Sequence, residues 1–251
     1  EWPETLDYSN ALGTSRVLLD RGKLDTWGHP FFEVLGTNGR ACITCHQPAD
    51  SMSLAAETAR DRWAATQGSD PLFAAIDGSN CPNLPQKDPA SHSLLLQRGL
   101  IRVFLPWPPR DTDGKPLDPE FTLEVVRDPT GCTTSPVHGL ASPEPHVSVY
   151  RRPRPVANTK FTTHENFGVL PFIGKNGLPA SRDPETGRPA AMNIMAAARA
   201  PTLAAHAQDA ATVHLQKETP LTREQLDGIL DFESRLYTAQ AIDAKAGSLT
   251  E

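Results

Sequence analysis

Two cysteines and a histidine within five residues constrain this chain more than any other feature of its sequence. They form the segment Cys42-Ile43-Thr44-Cys45-His46, a C-x-x-C-H pattern. At this spacing each thiol can add to one vinyl group of a haem, and the adjoining histidine can reach the iron. Because two thioethers would hold the group covalently, the chain needs no large apolar pocket around it. The pattern therefore predicts one covalent haem c, attached at Cys42 and Cys45 and ligated by His46.

The same cysteine pair has two other interpretations. A structural zinc site normally needs a second local pair of ligands, and the sequence has no such pair. A thioredoxin-like redox pair would lie between a strand and a long helix, in βαβ surroundings that are missing around residues 42–46. Haem attachment is therefore the interpretation that the neighbouring sequence favours.

The other two cysteines are Cys81 and Cys132, each alone in its part of the chain. Haem is joined to cysteine thiols outside the cytoplasm, so the motif predicts a periplasmic or extracellular protein. In such an oxidising compartment a Cys81–Cys132 disulfide is expected, with two buried free thiols as the alternative. The first residues have neither a charged n-region nor an apolar h-region, so we expect a secretory signal to be absent or already removed.

Charge and hydropathy narrow the range of partners. The 251 residues carry a net charge of −6, with no basic stripe that would neutralise phosphates, so no nucleic-acid partner is expected. No apolar run is long enough to predict a membrane span. A mildly acidic surface suits a basic redox partner of unknown identity, and it is also typical of an ordinary solvated surface.

Hydrophobic periodicity predicts several helices in the two ends of the chain. They are expected at residues 15–23, in a turn or two at 30–35, at 54–66, from 201 to about 215, and from a capping box at Thr222 through Tyr237. The tail from Ala241 is small and polar, and we expect it to fray.

The middle of the chain has a different pattern. Twenty-four prolines, many of them between Pro82 and Pro189, favour ordered loops and short strands there. Strands are expected at residues 100–105, 121–126 and 147–150, with a turn at 113–116 between the first two. The predicted fold is a single domain over residues 1–251, mainly α and cytochrome c-like. Residues from about 67 to 150 would form a Pro-rich insertion of loops and a small β-hairpin.

Three segments resemble the bacterial dihaem cytochrome c peroxidase superfamily. Residues 35–41, leading into the C-x-x-C-H segment, resemble its first haem site, and residues 152–158 (Arg-Pro-Arg-Pro-Val-Ala-Asn) resemble a segment that passes over the haem. Residues 195–203 resemble an element in which an arginine precedes a helix. The resemblance covers only the N-terminal haem domain of such enzymes. It implies that Arg199 contacts a haem propionate.

The same resemblance implies that the groups needed for peroxidase activity are missing. Relative to Arg199, the family's acid–base glutamate and glutamine fall at Ala205 and Ile194, which cannot transfer a proton. The family's Trp-Asp-Gly triplet is replaced by alanines at 196–198, and no second C-x-x-C-H follows. Electron transfer is therefore the expected function. A peroxidase or oxidase, in which His206 would act as acid–base group, and a haem subunit of a larger redox complex are the alternatives.

The second axial ligand of the iron is open from the residues alone. The residues chemically able to fill it are Met52, Met192, Met195, His29, His92, His138, His146, His164, His206 and His214. Met195 precedes Arg199 by four residues, close to where distal side chains project in the resembling family. We therefore expect Met195 to be the distal ligand, with His164 and His214 as its competitors.

Overall fold

The computed structural model describes residues 1–110, 114–162, 172–173, 179–180, 194–195, 200 and 202–249. The chain divides into two units, of which the first contains Glu1–Leu54 and Pro153–Glu251 and the second contains Ala55–Arg152. The predicted insertion of residues from about 67 to 150 falls within the second unit.

Five helices and eight strands are described. The helices are α1 (Ala56–Thr66), α2 (Ser93–Arg98), α3 (Thr159–Thr162), α4 (Leu203–Val213) and α5 (Arg223–Arg235). The strands are β1 (Thr5–Asn10), β2 (Gly13–Leu19), β3 (Ile101–Pro106), β4 (His146–Arg151), β5 (Phe172–Ile173), β6 (Pro179–Ala180), β7 (Leu236–Asp243) and β8 (Gly247–Ser248). Within the described ranges, no helix is long and apolar enough to cross a membrane.

The predicted fold class is wrong, because the chain mixes helices with antiparallel sheets. The sheets have the strand orders β1-β2-β7-β8, β3-β4 and β5-β6. A mainly α, cytochrome c-like fold would have no four-stranded sheet. The error comes mostly from the first unit, where both ends of the chain contribute strands that the helical patterns did not predict.

Strand β2 lies at the centre of the first sheet, between β1 and β7. The predicted helix at residues 15–23 is therefore wrong. Val17 and Leu19 are completely buried whereas Leu18 between them is exposed, which is the alternation of a strand. Pairing on both edges satisfies the backbone of β2, and this tertiary context overrides a weak helical pattern.

Helix α5 begins as predicted but ends earlier. The Thr222 hydroxyl accepts a hydrogen bond from Gln225 N, and the Gln225 side chain accepts one from Thr222 N, which completes the predicted capping box. After Arg235 the chain enters β7, so the extension of the helix through Tyr237 is wrong. The predicted fraying from Ala241 is also wrong, because Ala241 is buried within β7. Pairing with β2 orders a tail that its composition alone would leave free.

The second unit contains α1, α2 and the β3–β4 pair. The helix predicted at residues 54–66 and the strands predicted at 100–105 and 147–150 are confirmed by α1, β3 and β4. The strand predicted at 121–126 is wrong, since this segment is irregular and exposed, and β3 pairs with β4 instead. The predicted disulfide between Cys81 and Cys132 is present, with their Cα atoms 5.3 Å apart.

Aromatic rings form the centre of the core of the first unit. The rings of Phe31 and Phe232 have centroids 4.7 Å apart, and Trp2 and Phe32 both pack against Phe232. The aliphatic members of this core include Val17, Leu19, Met52, Val156, Leu215, Ile229 and Leu236, with Cys42 and Ile43 packed against it. The C-x-x-C-H segment is therefore seated on the main core of its unit.

Replacing both Cys81 and Cys132 with serine should destabilise the second unit. The bridge joins residues 51 positions apart, and closing a loop of that length is worth about 4 kcal/mol in the chain-entropy account. Denaturant unfolding of the oxidised protein measures the loss. The same measurement on the wild type and the variant under reducing conditions, where neither has the bridge, is the matched control. An unchanged unfolding midpoint in the Cys81/Cys132 variant would contradict this role.

Candidate functional site

The C-x-x-C-H segment is held in one tight turn. A single 3-10 turn occupies its first three residues, and the amides of Cys45 and His46 both donate to the Cys42 carbonyl, at 3.2 and 3.1 Å. The amide of Ile43 donates to the carbonyl of Phe31 at 3.2 Å, which ties the turn to the aromatic core. Two thiols and an imidazole are thus presented together by one short segment.

Cys42 and Cys45 are half-buried, and neither is part of a disulfide. Burial, and less strongly the charge of Glu233, raises the pKa of the Cys42 thiol to about 12, so the thiol is protonated at neutral pH. A thioredoxin-like pair needs a lowered thiol pKa, and burial shifts the pKa of Cys42 in the opposite direction. Across the described residues, no three His, Cys, Asp or Glu side chains cluster closely enough to hold a metal ion. The raised pKa of Cys42 therefore argues against a thioredoxin-like redox pair.

The imidazole of His46 is buried and oriented by backbone. Its Nδ1 lies 3.1 Å from the Met52 carbonyl oxygen. Burial lowers the pKa of His46 to about 4; the Met52 and Arg154 carbonyls oppose this shift, and the nearby His206 and His214 add to it. The ring is therefore neutral at pH 7 and has one proton. A carbonyl can only accept, so a proton on Nδ1 would be bonded to the Met52 oxygen and would leave the lone pair on Nε2, the arrangement of metal-binding imidazoles.

The Met52 carbonyl is aimed at His46 by a closed loop. Gln47 N donates to Ser53 O, and Met52 N donates to Gln47 O, both at 2.8 Å. Ser51 and Met52 have φ angles of 55° and 62°, in the left-handed region that non-glycine residues rarely adopt. Each residue in this conformation lowers the free energy of unfolding by on the order of 1 kcal/mol. Complete burial of the Met52 side chain in the core offsets part of that cost.

Residues 153–158, from the segment predicted to pass over the haem, lie against this loop. Val156 N donates to Met52 O at 3.2 Å, so that carbonyl binds both the segment and the His46 ring. Farther along, Arg154 Nη1 donates to Met195 O at 3.1 Å. The turn containing Met195 is therefore connected to the surroundings of His46 through one arginine.

Helix α4 brings two histidines near the His46 ring. The helix starts at the Thr202 hydroxyl, which accepts from Ala205 N at 3.0 Å, and it packs against the core through buried alanines. His206 and His214 are close enough that their charges lower the pKa of His46. His214 was a predicted competitor for the distal position, and His206 was both a residue able to fill that position and the acid–base group of the alternative function.

The residues before the motif dock on the end of α4. A Cβ at Gly36 would lie only 1.7 Å from the Leu215 carbonyl oxygen, so this approach requires glycine. Asn38 Nδ2 and Arg40 Nη1 both donate to His214 O, at 2.8 and 3.2 Å. Arg40 is only 1% exposed, and the sequence analysis missed it because one arginine beside a motif has no distinctive pattern.

Of the residues predicted to lie near the distal face of the haem, Met195 is described, whereas Arg199 and His164 are not. Met195 is half-buried in a turn with φ of 65°, where its neighbours are Ile194 and Ala200. The described contacts do not join its sulfur to His46. The predicted propionate contact Arg199 and the competitor His164 lie outside the described residues.

Glu233 is a second residue that the sequence analysis missed. Its side chain is buried on α5, and burial raises the pKa of its carboxyl to about 8. Its Oε2 has no hydrogen-bond partner in the described part of the chain. Glu233 follows the buried Ile229 and Leu230 at helical spacing, so a charged residue on the apolar face of an amphipathic helix was the available signal.

No protein-family model, curated protein or solved structure matches this chain. The resemblance to the dihaem cytochrome c peroxidase superfamily therefore stays a prediction from three short segments.

Proposed function

We propose that this protein is an exported c-type cytochrome with one haem, joined covalently to Cys42 and Cys45. The orientation of His46 is the observation that carries this proposal: its Nδ1 lies against the Met52 carbonyl, and this leaves the Nε2 lone pair for iron. The two thiols beside it are outside any disulfide, and burial raises the pKa of Cys42 to about 12. When bound, the haem supplies reversible one-electron chemistry.

Electron transfer is the function that the chain's own residues favour. Ala205 on α4 and Ile194 occupy the positions where the resemblance implies a proton-transferring group, and neither side chain can move a proton. His206 favours the second candidate, a peroxidase or oxidase. It lies on α4 next to Ala205, and its charge acts on His46. For electron transfer, the chain needs only to hold the haem, set the reduction potential of the haem and bind a redox partner.

The Cys81–Cys132 disulfide supports the proposed compartment, and the net charge of the chain supports the proposed kind of partner. A Cys81–Cys132 bridge persists in an oxidising compartment, which supports a periplasmic or extracellular location. A net charge of −6 favours a redox partner with a basic docking surface, and the same surface is compatible with a place in a larger redox complex.

Haem attachment is tested by intact mass. When the protein is exported by a host that matures c-type cytochromes, its mass should exceed that of the polypeptide by one haem. Cys42→Ala/Cys45→Ala should have the bare mass, whereas Cys81→Ser/Cys132→Ser, the matched control, should retain the haem. A wild-type protein with the bare polypeptide mass would disprove the proposal.

We also propose that Met195 is the distal ligand, as its connection through Arg154 allows. Methionine ligation predicts a weak charge-transfer band at the red edge of the ferric spectrum and a higher potential than a second imidazole gives. Met195→Ala should abolish the band, and His206→Ala and His214→Ala should leave it unchanged. If the band is absent in the wild type and one histidine variant turns the iron high-spin, that histidine is the ligand instead.

A further inference from the structure

Glu233 is a buried acid that the fold itself does not use. The backbone carbonyl of Glu233 accepts hydrogen bonds from Thr159 Oγ1, at 2.8 Å, and from Leu236 N at the end of α5. These bonds fix the backbone, but they leave the carboxyl unused. Only 4% of the residue is exposed, and Oε2 has no partner among the described residues. An isolated buried carboxylate is unfavourable, so a carboxyl kept at such a position calls for a partner or a function.

Glu233 lies on α5 beside Ile229 and Phe232, which belong to the core that Cys42 packs against. Its charge contributes to the raised pKa of the Cys42 thiol, which places the two side chains within electrostatic reach. The adjoining Phe232 packs against Phe31, whose carbonyl holds the motif turn through Ile43 N. A haem joined to Cys42 would therefore begin next to this carboxyl.

The charged groups around this site do not neutralise Glu233. On its own helix, Arg235 donates to Asp231 at 3.0 Å and to the Asp20 carbonyl at 2.9 Å. The titratable groups on the packed elements are Cys42 on the motif, His29 on the preceding turn, Lys160 on α3, and His206 and Asp209 on α4. His29 interacts with Asp231 and Arg235, and the pKa of Glu233 is raised by burial alone. The carboxyl thus has no fixed countercharge in the described part of the protein, and its protonation can follow a change of charge next to it.

We propose that Glu233 takes up one proton when a haem attached at Cys42 and Cys45 is reduced, and releases that proton when the haem is oxidised. This inference rests on the proposed function. The electron comes from a one-electron donor, a redox protein in the cell or an electrode in the test, and the proton comes from solvent. One electron converts ferric to ferrous haem while one proton converts the carboxylate to the acid, so the charge of the site stays constant.

The direction of the coupling follows from electrostatics. The ferric form has one more positive charge than the ferrous form, so it stabilises a nearby carboxylate and lowers the pKa of Glu233. Reduction removes that charge, and the carboxyl then binds its proton more tightly. The midpoint potential should therefore be constant in acid, where Glu233 is protonated in both forms. It should fall as the pH rises through the pKa of the oxidised form, and level off above that of the reduced form.

The experiment is a spectroelectrochemical titration of the haem-loaded protein from about pH 6 to about pH 10, which brackets the pKa of about 8. The wild-type potential should fall with a slope approaching about 59 mV per pH unit, the value for one proton per electron. Glu233→Gln should remove that fall. Glu224→Gln on the exposed first turn of α5, the matched control, should retain it.

A second measurement needs no variant. Redox-difference infrared spectra of the wild type, recorded at a pH where its potential falls with rising pH, should show a protonated-carboxyl band appearing on reduction. This band should shift when glutamate is labelled with carbon-13. A covalent haem whose potential does not change with pH, or whose infrared difference lacks that band, would overturn the inference alone. A wild-type protein without covalent haem would overturn the proposed function, and this inference with it.

Discussion

The Met52 carbonyl oxygen accepts hydrogen bonds from two parts of the first unit. His46 Nδ1 lies 3.1 Å away and Val156 N lies 3.2 Å away. The first contact favours an imidazole proton on Nδ1, and the second brings residues 153–158 against the loop. The left-handed conformations of Ser51 and Met52 turn the carbonyl into this position, and burial of the Met52 side chain in the core holds it there. The whole candidate site depends on this one acceptor.

The core explains why such a site tolerates local strain. The aromatic cluster of Phe31, Phe232 and Trp2 is formed by the N-terminal segment together with α5, and the motif turn is bonded to it through the Phe31 carbonyl. The sheet of β1, β2 and β7 joins both ends of the chain in the same unit. The thiols of Cys42 and Cys45 and the imidazole of His46 are therefore positioned by elements from both ends of the chain, and not by the motif alone.

The local chemistry of the site could be predicted from the sequence because it is encoded in five adjacent residues. The motif identified Cys42, Cys45 and His46, and the capping box at Thr222 located the start of α5. The partners of those residues come from distant segments and could not be predicted. The sequence suggests Met52 as a possible sulfur ligand of the iron, whereas the structure places its carbonyl oxygen against His46 Nδ1. Glu233 was visible only as a charge at an apolar position of α5.

The prediction of the fold class was wrong for a related reason. Strand β2 and the residues after Arg235 have weak periodicity, and they become strands because they pair with each other across the whole length of the chain. Such non-local pairing leaves little trace in a short sequence window. Where local pattern and burial agreed, as in α1, β3 and β4, the prediction was correct.

We expect the fold to hold His46 as a neutral imidazole with its proton on Nδ1, before any haem is attached. Nitrogen-15 NMR of selectively labelled histidine, in protein produced without haem, measures this directly. His46 should stay neutral from about pH 5 upward, with the proton on Nδ1, because burial lowers its pKa to about 4. A His46 imidazolium at pH 7, or a neutral ring with its proton on Nε2, would show that the fold does not prepare Nε2 of this side chain to bind iron.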